Sequence, residues 1–568
     1  MLKTLATASA LAVLALASMP AAAQSALATP MAESERAGPP KGRGSYQDMA
    51  TLYADFMRWQ NLSPADGDDS VGVPSRVRDF SAATVAKRRT EMASYLSRME
   101  DMNVASWDRS QQVDWLAVRA KMLQQHFTLQ VGKPWERDPG FYVDQMQSVA
   151  YADLPATGQD LAKIKRGLQD IPLLVQGAKA NLQNVPADFV TLALFNLRNA
   201  DGVGHGMPYR PVPPAGVIGW YDDMLGRART AQPELVADLE AAKRAAVELE
   251  AHLKANRGRW TAPAGVGKAN FNWYLKNVKL LPYNTDDLLV LGARETERLW
   301  AQHALEKHRN RNLPELKPAA SEAEYEALKK ETDRRIRTFL AKEEIITVPA
   351  DIGKLYVNVP WIVRDGGRNF WEEVQFRDPS PDYFHATIPG HAFDGQMAKR
   401  VKNPIRATIA DGVRNEGWGV YLEEAAQRLG FFEDIPRVRE LIDIFGIFRA
   451  VRVAGDIDLQ LNRANLQQIV DRWKTLTPWL DNNVARVDAE IYLRRPPGYG
   501  LGYTIGMIEM SKLIADVKVQ QRDKFVLKTF HDDFMAAGRV QMSLLRWEMT
   551  GLDNEVQHFW KADPLPAQ

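Results

Sequence analysis

Apolar residues recur at helical spacing along most of the chain. Helical periodicity begins near Tyr46, and beyond Arg406 it dominates again up to about Met549. One apolar stripe, with charged residues opposite it, follows Pro233 and is formed by Leu235, Leu239, Ala242, Ala246, Leu249 and Leu253. The pattern predicts a mainly α-helical protein.

Two pairs of polar residues mark predicted helix starts. Asp108 and Gln111 stand three positions apart before an apolar helical run, which is the spacing of a capping box. Ser321 and Glu324 have the same spacing and are predicted to cap a second helix. Residues 201–217 instead form a long Gly- and Pro-rich loop, and such a loop can act as a lid. His205 on that loop is interpreted as an exposed loop residue and not as a ligand.

The pattern changes between Glu344 and Phe376. Three runs, E-I-I-T-V, K-L-Y-V-N-V and W-E-E-V-Q-F, are rich in β-forming residues and are separated by Pro, Asp and Gly. They predict a small β-hairpin or sheet near residues 344–376. A strand there could pair with an extended peptide along the edge of a cleft. The alternative is a hairpin with a purely structural role.

The first 23 residues have the pattern of a secretory signal peptide. One lysine precedes a short apolar run that ends in A-A-A before Gln24, so cleavage is predicted after Ala23. The apolar run is short for a membrane anchor, although an uncleaved anchor is the alternative. The chain has no cysteine, so it has no lipidation site at the end of the signal. A periplasmic or secreted protein is expected.

Composition and the lengths of apolar runs exclude some classes of partner and indicate how the chain is divided into domains. Lys and Arg number 72 against 71 Asp and Glu, and basic residues do not cluster with aromatics, so no nucleic-acid surface is expected. No later stretch is apolar enough to span a bilayer, so no membrane anchor is expected after signal cleavage. The predicted organisation is a signal peptide at 1–23, a flexible leader at 24–45, an N-terminal helical lobe at 46–343 and a C-terminal lobe at 344–568.

The candidate chemistry lies in the C-terminal lobe. His385 and His391, two of the nine histidines, stand six positions apart, and Glu416 follows 25 residues after His391. Two imidazoles and one carboxylate are the ligand set of a mononuclear zinc site with an open fourth position. At that position the metal lowers the pKa of a bound water toward neutrality. The three residues are therefore candidate metal ligands, with zinc as the candidate cofactor.

The spacing of the two histidines does not suit a regular helix. A six-residue step turns a helix by about 600°, which leaves the two side chains roughly 120° apart. Pro389 and Gly390 lie between them and should break or kink the helix. Such a kink could turn both rings toward one point. The alternative is two unrelated histidines that flank a Pro-Gly turn.

Four segments occur in a fixed order in the C-terminal third of the chain. They are H-A-T-I-P-G-H at 385–391, E-G-W-G-V-Y-L-E at 416–423, P-G-Y-G-L-G-Y-T-I-G at 497–506 and F-H-D-D-F-M-A-A-G at 530–538. In this order they resemble the bacterial domain-of-unknown-function 885 family, whose patterns read roughly H-E-x-x-P-G-H-H-x-Q, E-G-W-A-L-Y-x-E, P-G-Q-A-x-x-Y-x-x-G and F-H-D-x-x-L-x-x-G.

The resemblance implies a large helical domain with a central cleft, distantly like carboxypeptidase Taq and other zinc metallopeptidases. The implied substrate is a peptide or small amide. Tyr503 and His531 stand where the family keeps a tyrosine and a histidine, and in a peptidase such donors stabilise the oxyanion. Either residue could instead be structural. Glu423, two helical turns after Glu416, could orient a ligand histidine, or could be a surface carboxylate.

The sequence also departs from the family pattern. Ala386 stands where the family has the glutamate that acts as general base, and a methyl group cannot move a proton. General-base catalysis contributes about 10²–10⁴ in rate, so its loss predicts a slow enzyme. Asp394, three residues after His391, is the candidate substitute base. The other nearby carboxylates that could substitute for it are Asp382, Glu372 and Glu373. Further departures are Ala392, Gln460 and Ile491.

Three interpretations follow from these residues. The first is an exported zinc-dependent hydrolase of the peptidase type with an altered or reduced activity. The second is a degenerate relative that binds peptides or partner proteins without cleaving them. The third is a helical structural protein whose motifs are relics of an enzyme ancestor.

Overall fold

The computed structural model describes residues 36–60, 77–199, 214–355, 359–363 and 367–566, and these are mainly helical, as predicted. The first helix begins at Tyr46. The helices up to residue 342 are α1 (Tyr46–Gln60), α2 (Ala82–Glu100), α3 (Arg109–Phe127), α4 (Pro134–Arg137), α5 (Gly140–Ala150), α6 (Gly158–Asn181), α7 (Ala187–Arg198), α8 (Gly216–Ala231), α9 (Val236–Asn256), α10 (Lys268–Asn277), α11 (Thr285–Arg309) and α12 (Glu322–Lys342).

The second half of the chain contains the sequence motifs. Its helices are α13 (Phe370–Gln375), α14 (Ser380–Asp382), α15 (His391–Ala398), α16 (Gly412–Arg428), α17 (Val438–Gln460), α18 (Leu466–Leu476), α19 (Asn482–Arg494), α20 (Gly502–Gln521), α21 (Leu527–Ala536) and α22 (Met542–Thr550). Among the described residues, two segments have the wider π-helical turn, Thr128–Gly132 and Tyr383–Thr387. The second of these contains His385.

The local signals read from the sequence agree with these helix starts. Asp108 and Gln111 form a reciprocal capping box at the start of α3. The Ser321 side chain accepts a hydrogen bond from the Glu324 amide at the start of α12. The stripe after Pro233 lies on a short 3₁₀ turn followed by α9. Caps and apolar stripes are local, so the sequence is sufficient to place them.

Some predictions fall outside the described residues. The signal peptide at 1–23 and the first part of the leader are among them. So is most of the loop at 201–217 with His205, and α8 already begins at Gly216. Within the described ranges, none of the helices combines the length and apolar character that a bilayer crossing requires.

The prediction of a β-hairpin or sheet near residues 344–376 is wrong for the described residues. Phe370–Gln375 is a helix, capped reciprocally by Asn369 and Glu372, and the described part of 344–369 contains no strand. The extended segment after Ile345 bonds to side chains of α21 and not to a second strand. The Thr347 amide donates to Asp532, and the Ile345 carbonyl lies 2.8 Å from His531 Nδ1. Side chains of α21 therefore bind the backbone groups that a second strand would have bound in the predicted hairpin.

One large apolar cluster runs through the molecule and includes residues of both predicted lobes. Helix α17 lies within it, since nearly all of its side chains are buried, and it packs along α11. Helix α16 packs along α20, where Gly417 and Gly506 permit close contact. A Cβ atom at Gly417 would lie 2.3 Å from the backbone of Gly506. These contacts hold α16, α17 and α20 around one side of a cavity.

Candidate metal centre

Three side chains converge on one point beside this cavity. His385 Nε2 lies 3.1 Å from His391 Nε2 and 3.4 Å from Glu416 Oε2. His391 Nε2 lies 3.2 Å from the same carboxylate oxygen. Ligand atoms of these three residues form a group that could hold a metal ion. The structure therefore brings together the three candidate ligands named from the sequence.

The break between the two histidines has the form that Pro389 and Gly390 predict. The π-helical turn ends at Thr387, Ile388 is extended, and His391 is the first residue of α15. A Cβ atom at Gly390 would lie 1.9 Å from the His385 carbonyl oxygen, so glycine is required for this close approach. The break lets two residues six positions apart present their rings to the same point.

A glycine on α16 makes room for the His385 ring. A Cβ atom at Gly419 would lie 2.6 Å from His385 Cε1 and Nδ1. Glu416 is three residues earlier on the same helix, close to the same face. Helix α16 therefore supplies both a ligand and the space in which a second ligand sits.

The separations of the three atoms suit a tetrahedral metal. Zinc bound at about 2.0–2.1 Å by tetrahedral ligands holds those ligands about 3.3 Å apart. The observed separations of 3.1, 3.2 and 3.4 Å are close to that value. Two imidazole nitrogens and one carboxylate oxygen are also donors that zinc accepts. The residues present therefore fit the metal that the sequence suggested.

A buried carboxylate orients His385 from behind. His385 Nδ1 lies 2.8 Å from Glu423 Oε1, and Arg449 Nη1 donates to Glu423 Oε2 at 2.8 Å. Arg449 Nη2 also lies 3.3 Å from His385 Nδ1, and a proton on Nδ1, which the Glu423 charge favours, leaves the lone pair of Nε2 facing His391 and Glu416. Glu423 and Arg449 are both buried, so each neutralises the charge of the other.

The charges of the group are strongly coupled. Burial and the Arg449 charge act to lower the pKa of His385, but hydrogen bonds to Glu416 and Glu423 outweigh them and raise it. Burial acts to raise the pKa of Glu416, but hydrogen bonds from the two histidines bring it well below its usual range. Without a metal, positive charge on the His385 imidazole therefore compensates the Glu416 carboxylate.

Two tyrosines of the third motif complete this side of the cavity. The Tyr499 hydroxyl donates to Glu416 Oε1 at 3.2 Å. The Tyr503 ring lies nearly parallel to the His385 ring, with centroids 6.2 Å apart. Burial, followed by the Glu416 charge, raises the pKa of Tyr503 well above its usual value. Tyr503 therefore keeps its phenolic proton and can donate a hydrogen bond.

The loop that carries Tyr499 is held by α17. The Leu501 amide donates to Asp456 Oδ2 at 3.1 Å, and Asp456 is fully buried. Burial raises the pKa of Asp456 to about 7, although hydrogen bonds from the loop amides oppose the shift. Asp456 thereby fixes the position of Tyr499 relative to Glu416.

The structure does not bring His531 or Asp394 to the cavity. His531 is buried, with Nδ1 2.8 Å from the Ile345 carbonyl oxygen and Nε2 2.9 Å from the Tyr421 hydroxyl. Burial lowers the pKa of His531 to about 4, so the ring is neutral, donates from Nδ1 and accepts at Nε2. Asp394 is buried and accepts from Arg414 Nη1 at 2.6 Å. Both residues therefore use their polar atoms in contacts within the fold.

The cavity has a volume of about 820 Å³ and lies between the two predicted lobes. Asp138, Phe141 and Asn196 line it from the N-terminal half, and the His–Glu group lines it from the C-terminal half. Asp382, in the same wall, accepts from Gln375 Nε2 at 2.9 Å. Burial raises the pKa of Asp382 to about 6, and the charges of His385 and Arg449 oppose the shift.

Sequence reasoning gave no role to two residues of this site, Arg449 and Tyr499. Tyr499 stands inside the third motif and Arg449 lies outside the four motifs, and nothing in the linear pattern shows their contacts. Asp382 was one of four candidate substitute bases, and its position one helical turn before Ala386 was the signal that distinguishes it from the others.

The fold and the site define a mainly helical protein with a two-histidine, one-carboxylate group on the wall of a large cavity. Residues 382–549 match the family described as "Bacterial protein of unknown function (DUF885)". This segment contains all four motifs, so the family resemblance is confirmed over it. No curated protein matches the chain at a significant level.

Two solved structures share the fold. One is a protein from Shewanella oneidensis described as a "putative lipoprotein of unknown function", with a TM-score of 0.65 at 15% identity over 89% of this chain and 100% of that chain. The other is a "putative lipoprotein" from Colwellia psychrerythraea, with a TM-score of 0.67 at 16% identity over 90% of this chain and 100% of that chain. At these identities the similarity establishes the fold alone.

Proposed function

We propose that this protein is an exported zinc-dependent hydrolase that cleaves peptide or small amide bonds. The observation that carries the proposal is the convergence of His385 Nε2, His391 Nε2 and Glu416 Oε2 within 3.4 Å of one another. When bound there, zinc would supply a Lewis acid that polarises a substrate carbonyl and acidifies water. The open side of the group faces a cavity large enough for a peptide segment.

Export is supported by the sequence of the first 23 residues and by the two structural neighbours, each of which is described as a "putative lipoprotein". This chain has no cysteine, so a thiol-linked lipid has no attachment point in it. The proposed location is the periplasm or the extracellular space.

Asp382 is the proposed proton acceptor in place of the absent glutamate. Helix α14 continues into the π-helical turn, so Asp382 lies about one turn before Ala386 and on the same face. A helical side chain covers the turn N-terminal to its own Cα, so a glutamate at 386 would reach the region that the Asp382 carboxylate occupies. The hydrogen bond from Gln375 fixes one carboxylate oxygen of Asp382.

Tyr503 is the proposed hydrogen-bond donor to the substrate. It lines the cavity beside His385, and its raised pKa keeps the phenol protonated. A donor there stabilises negative charge that develops on the substrate carbonyl oxygen. His531 and Asp394 take no step in this proposal, because their polar atoms are bonded elsewhere.

A second candidate function is peptide binding without cleavage. The alanine at position 386 favours it, because the glutamate of the family pattern is absent. The cavity and the His–Glu group would then bind a peptide or a partner segment. The two functions differ in a single measurable outcome, which is turnover of a bound peptide.

The experiment uses protein purified without a histidine tag, stripped of metal and titrated with zinc. One zinc per chain is expected, and His391→Ala should abolish tight binding, whereas His308→Ala, an exposed histidine of α11, should not. A peptide-library assay then compares the zinc-loaded protein with His391→Ala. Absence of stoichiometric zinc would contradict the metal site, and zinc binding without any cleavage would favour the peptide-binding function.

A further inference from the structure

Charged side chains of the cavity wall are mostly neutralised in pairs. Arg494 lies within 2.8 Å of carboxylate oxygens of Asp138, Asp144 and Glu490. The other paired arginines of the wall are Arg449 with Glu423, Arg452 with Asp488 and Arg486 with Glu490. Such pairs hold the fold together but leave little charge for a ligand.

Arg495 differs from these four arginines. It lines the same cavity and is exposed, and no carboxylate of the described residues lies within ion-pair distance of it. Its guanidinium carbon lies 4.7 Å from the centroid of the Tyr499 ring. Stacking on an aromatic face holds a guanidinium in place and leaves its N–H edge free for a planar anion. Arg495 is therefore a positioned cation with unused donors.

The position of this cation relative to the metal group is set by one side chain. Tyr499 supports Arg495 with its ring and donates from its hydroxyl to Glu416. The free guanidinium and the His–Glu group are thus separated by about the length of a tyrosine side chain. One or two residues of extended peptide, at about 3.5 Å each, span such a distance.

We propose that Arg495 binds the α-carboxylate at the C-terminus of a peptide whose adjacent amide lies at the His385–His391–Glu416 group. A planar guanidinium binds a carboxylate through two parallel hydrogen bonds, which suits a terminal carboxylate in a fixed register. The substrate class is then short peptides, or peptide ends, with a free C-terminus. This assignment rests on the proposed function of the same site and specifies the substrates that the site accepts.

The test measures binding to the metal-free protein, so that it does not depend on turnover. Acetyl-Ala-Ala-Ala is offered as the free acid and as the C-terminal amide, and both affinities are measured by calorimetry. The wild-type protein should bind the acid about 10- to 100-fold more tightly, the value of a charge-assisted bidentate contact. Arg495→Gln should bind the two forms equally, and Arg495→Lys should retain part of the preference.

Arg294→Gln is the matched control, because Arg294 is exposed on α11 and does not line the cavity. Circular dichroism and thermal unfolding establish that each variant is folded. The inference is overturned if the wild-type protein shows no measurable preference for the acid, or if Arg495→Gln keeps that preference. It is also overturned if inorganic phosphate displaces the acid peptide as effectively as a second acid peptide does, since the site would then bind anions in general.

The same two peptides separate this inference from the proposed function. A preference for the acid that depends on Arg495, without cleavage by the zinc-loaded protein, would support the carboxylate site and contradict the hydrolase. Cleavage of acid and amide at equal rates would support the hydrolase and contradict the carboxylate site.

Discussion

His385 Nδ1 lies 2.8 Å from Glu423 Oε1, and the two residues come from segments separated by the break at Pro389 and Gly390. Arg449 donates to the other oxygen of Glu423. The carboxylate favours a proton on Nδ1 of His385, and that tautomer leaves the Nε2 lone pair for the metal group. Glu423, which does not itself face the metal group, is therefore expected to affect the affinity of the site for zinc.

Replacement of Glu423 by Gln should weaken zinc binding. Loss of a carboxylate that orients a ligand histidine typically lowers metal affinity by about 10- to 100-fold. Zinc affinity is measured by competition with a chelating dye. The neighbouring Glu424→Gln is the control, because Glu424 pairs with Arg298 and not with His385. Equal zinc affinity in Glu423→Gln and wild type would show that the His385–Glu423 contact does not tune the site.

The position of Ala386 allows a test of the proposed proton acceptor. Asp382→Asn should lower the wild-type rate and Ala386→Glu should raise it, and the two effects together should span about the 10²–10⁴ that a general base contributes. In the Ala386→Glu background, Asp382→Asn should have a small effect, since one carboxylate then suffices. Initial rates on a cleaved peptide measure all four proteins.

Ala386→Gln controls for the size of the new side chain at this position. It adds the same volume without a titratable group, so it should leave the slow wild-type rate in place. If Asp382→Asn is as active as wild type, the proton acceptor is another group.

Gly419→Ala should displace the His385 ring. The new Cβ atom would lie 2.6 Å from atoms of the His385 ring. The helix backbone and the closely packed ring can each move little to remove this overlap. We expect zinc affinity to fall by at least about tenfold, since a site loses function when its ligands move by about 0.5 Å. Gly226→Ala on α8 is the control, because open space surrounds a Cβ atom there. An unchanged zinc affinity in Gly419→Ala would show that His385 can move without cost.

A buried carboxylate away from the site predicts a pH-dependent stability. Burial raises the pKa of Asp443 to about 7, and the charges of Glu306 and Glu424 add to the shift, while Arg298 opposes it. Its Oδ2 atom accepts no hydrogen bond from the described residues. Because the folded state holds this proton more tightly than the unfolded chain, stability is lost as pH rises from about 4 toward 7.

Asp443→Asn should therefore stabilise the protein at pH 8 by about 2–4 kcal/mol, and the gain should shrink toward pH 4. Denaturant unfolding at several pH values measures the difference. Asp434→Asn is the control, because Asp434 is largely exposed. A gain that is the same at all pH values would show that the Asp443 carboxyl does not titrate in this range.

The sequence by itself determined the features that depend on neighbouring residues. Apolar spacing specified helices such as α9, the Asp108–Gln111 pair specified the start of α3, and Pro389 with Gly390 specified the break between the histidines. Each follows from the backbone preferences of a few adjacent residues. The ligand types were also readable, because zinc selects imidazole and carboxylate donors wherever they occur in the chain.

The tertiary structure alone decided what each polar side chain contacts. His531 and Asp394 look equally available in the sequence, yet the fold bonds them to Ile345, Tyr421 and Arg414. The β-rich run after Ile345 meets side chains of α21 in place of a second strand. Such contacts join residues far apart in the chain, and the sequence alone does not show which distant residues lie close together in the fold. For the same reason the sequence assigned no role to Tyr499 and Arg449 and did not distinguish Asp382 from the other candidate carboxylates.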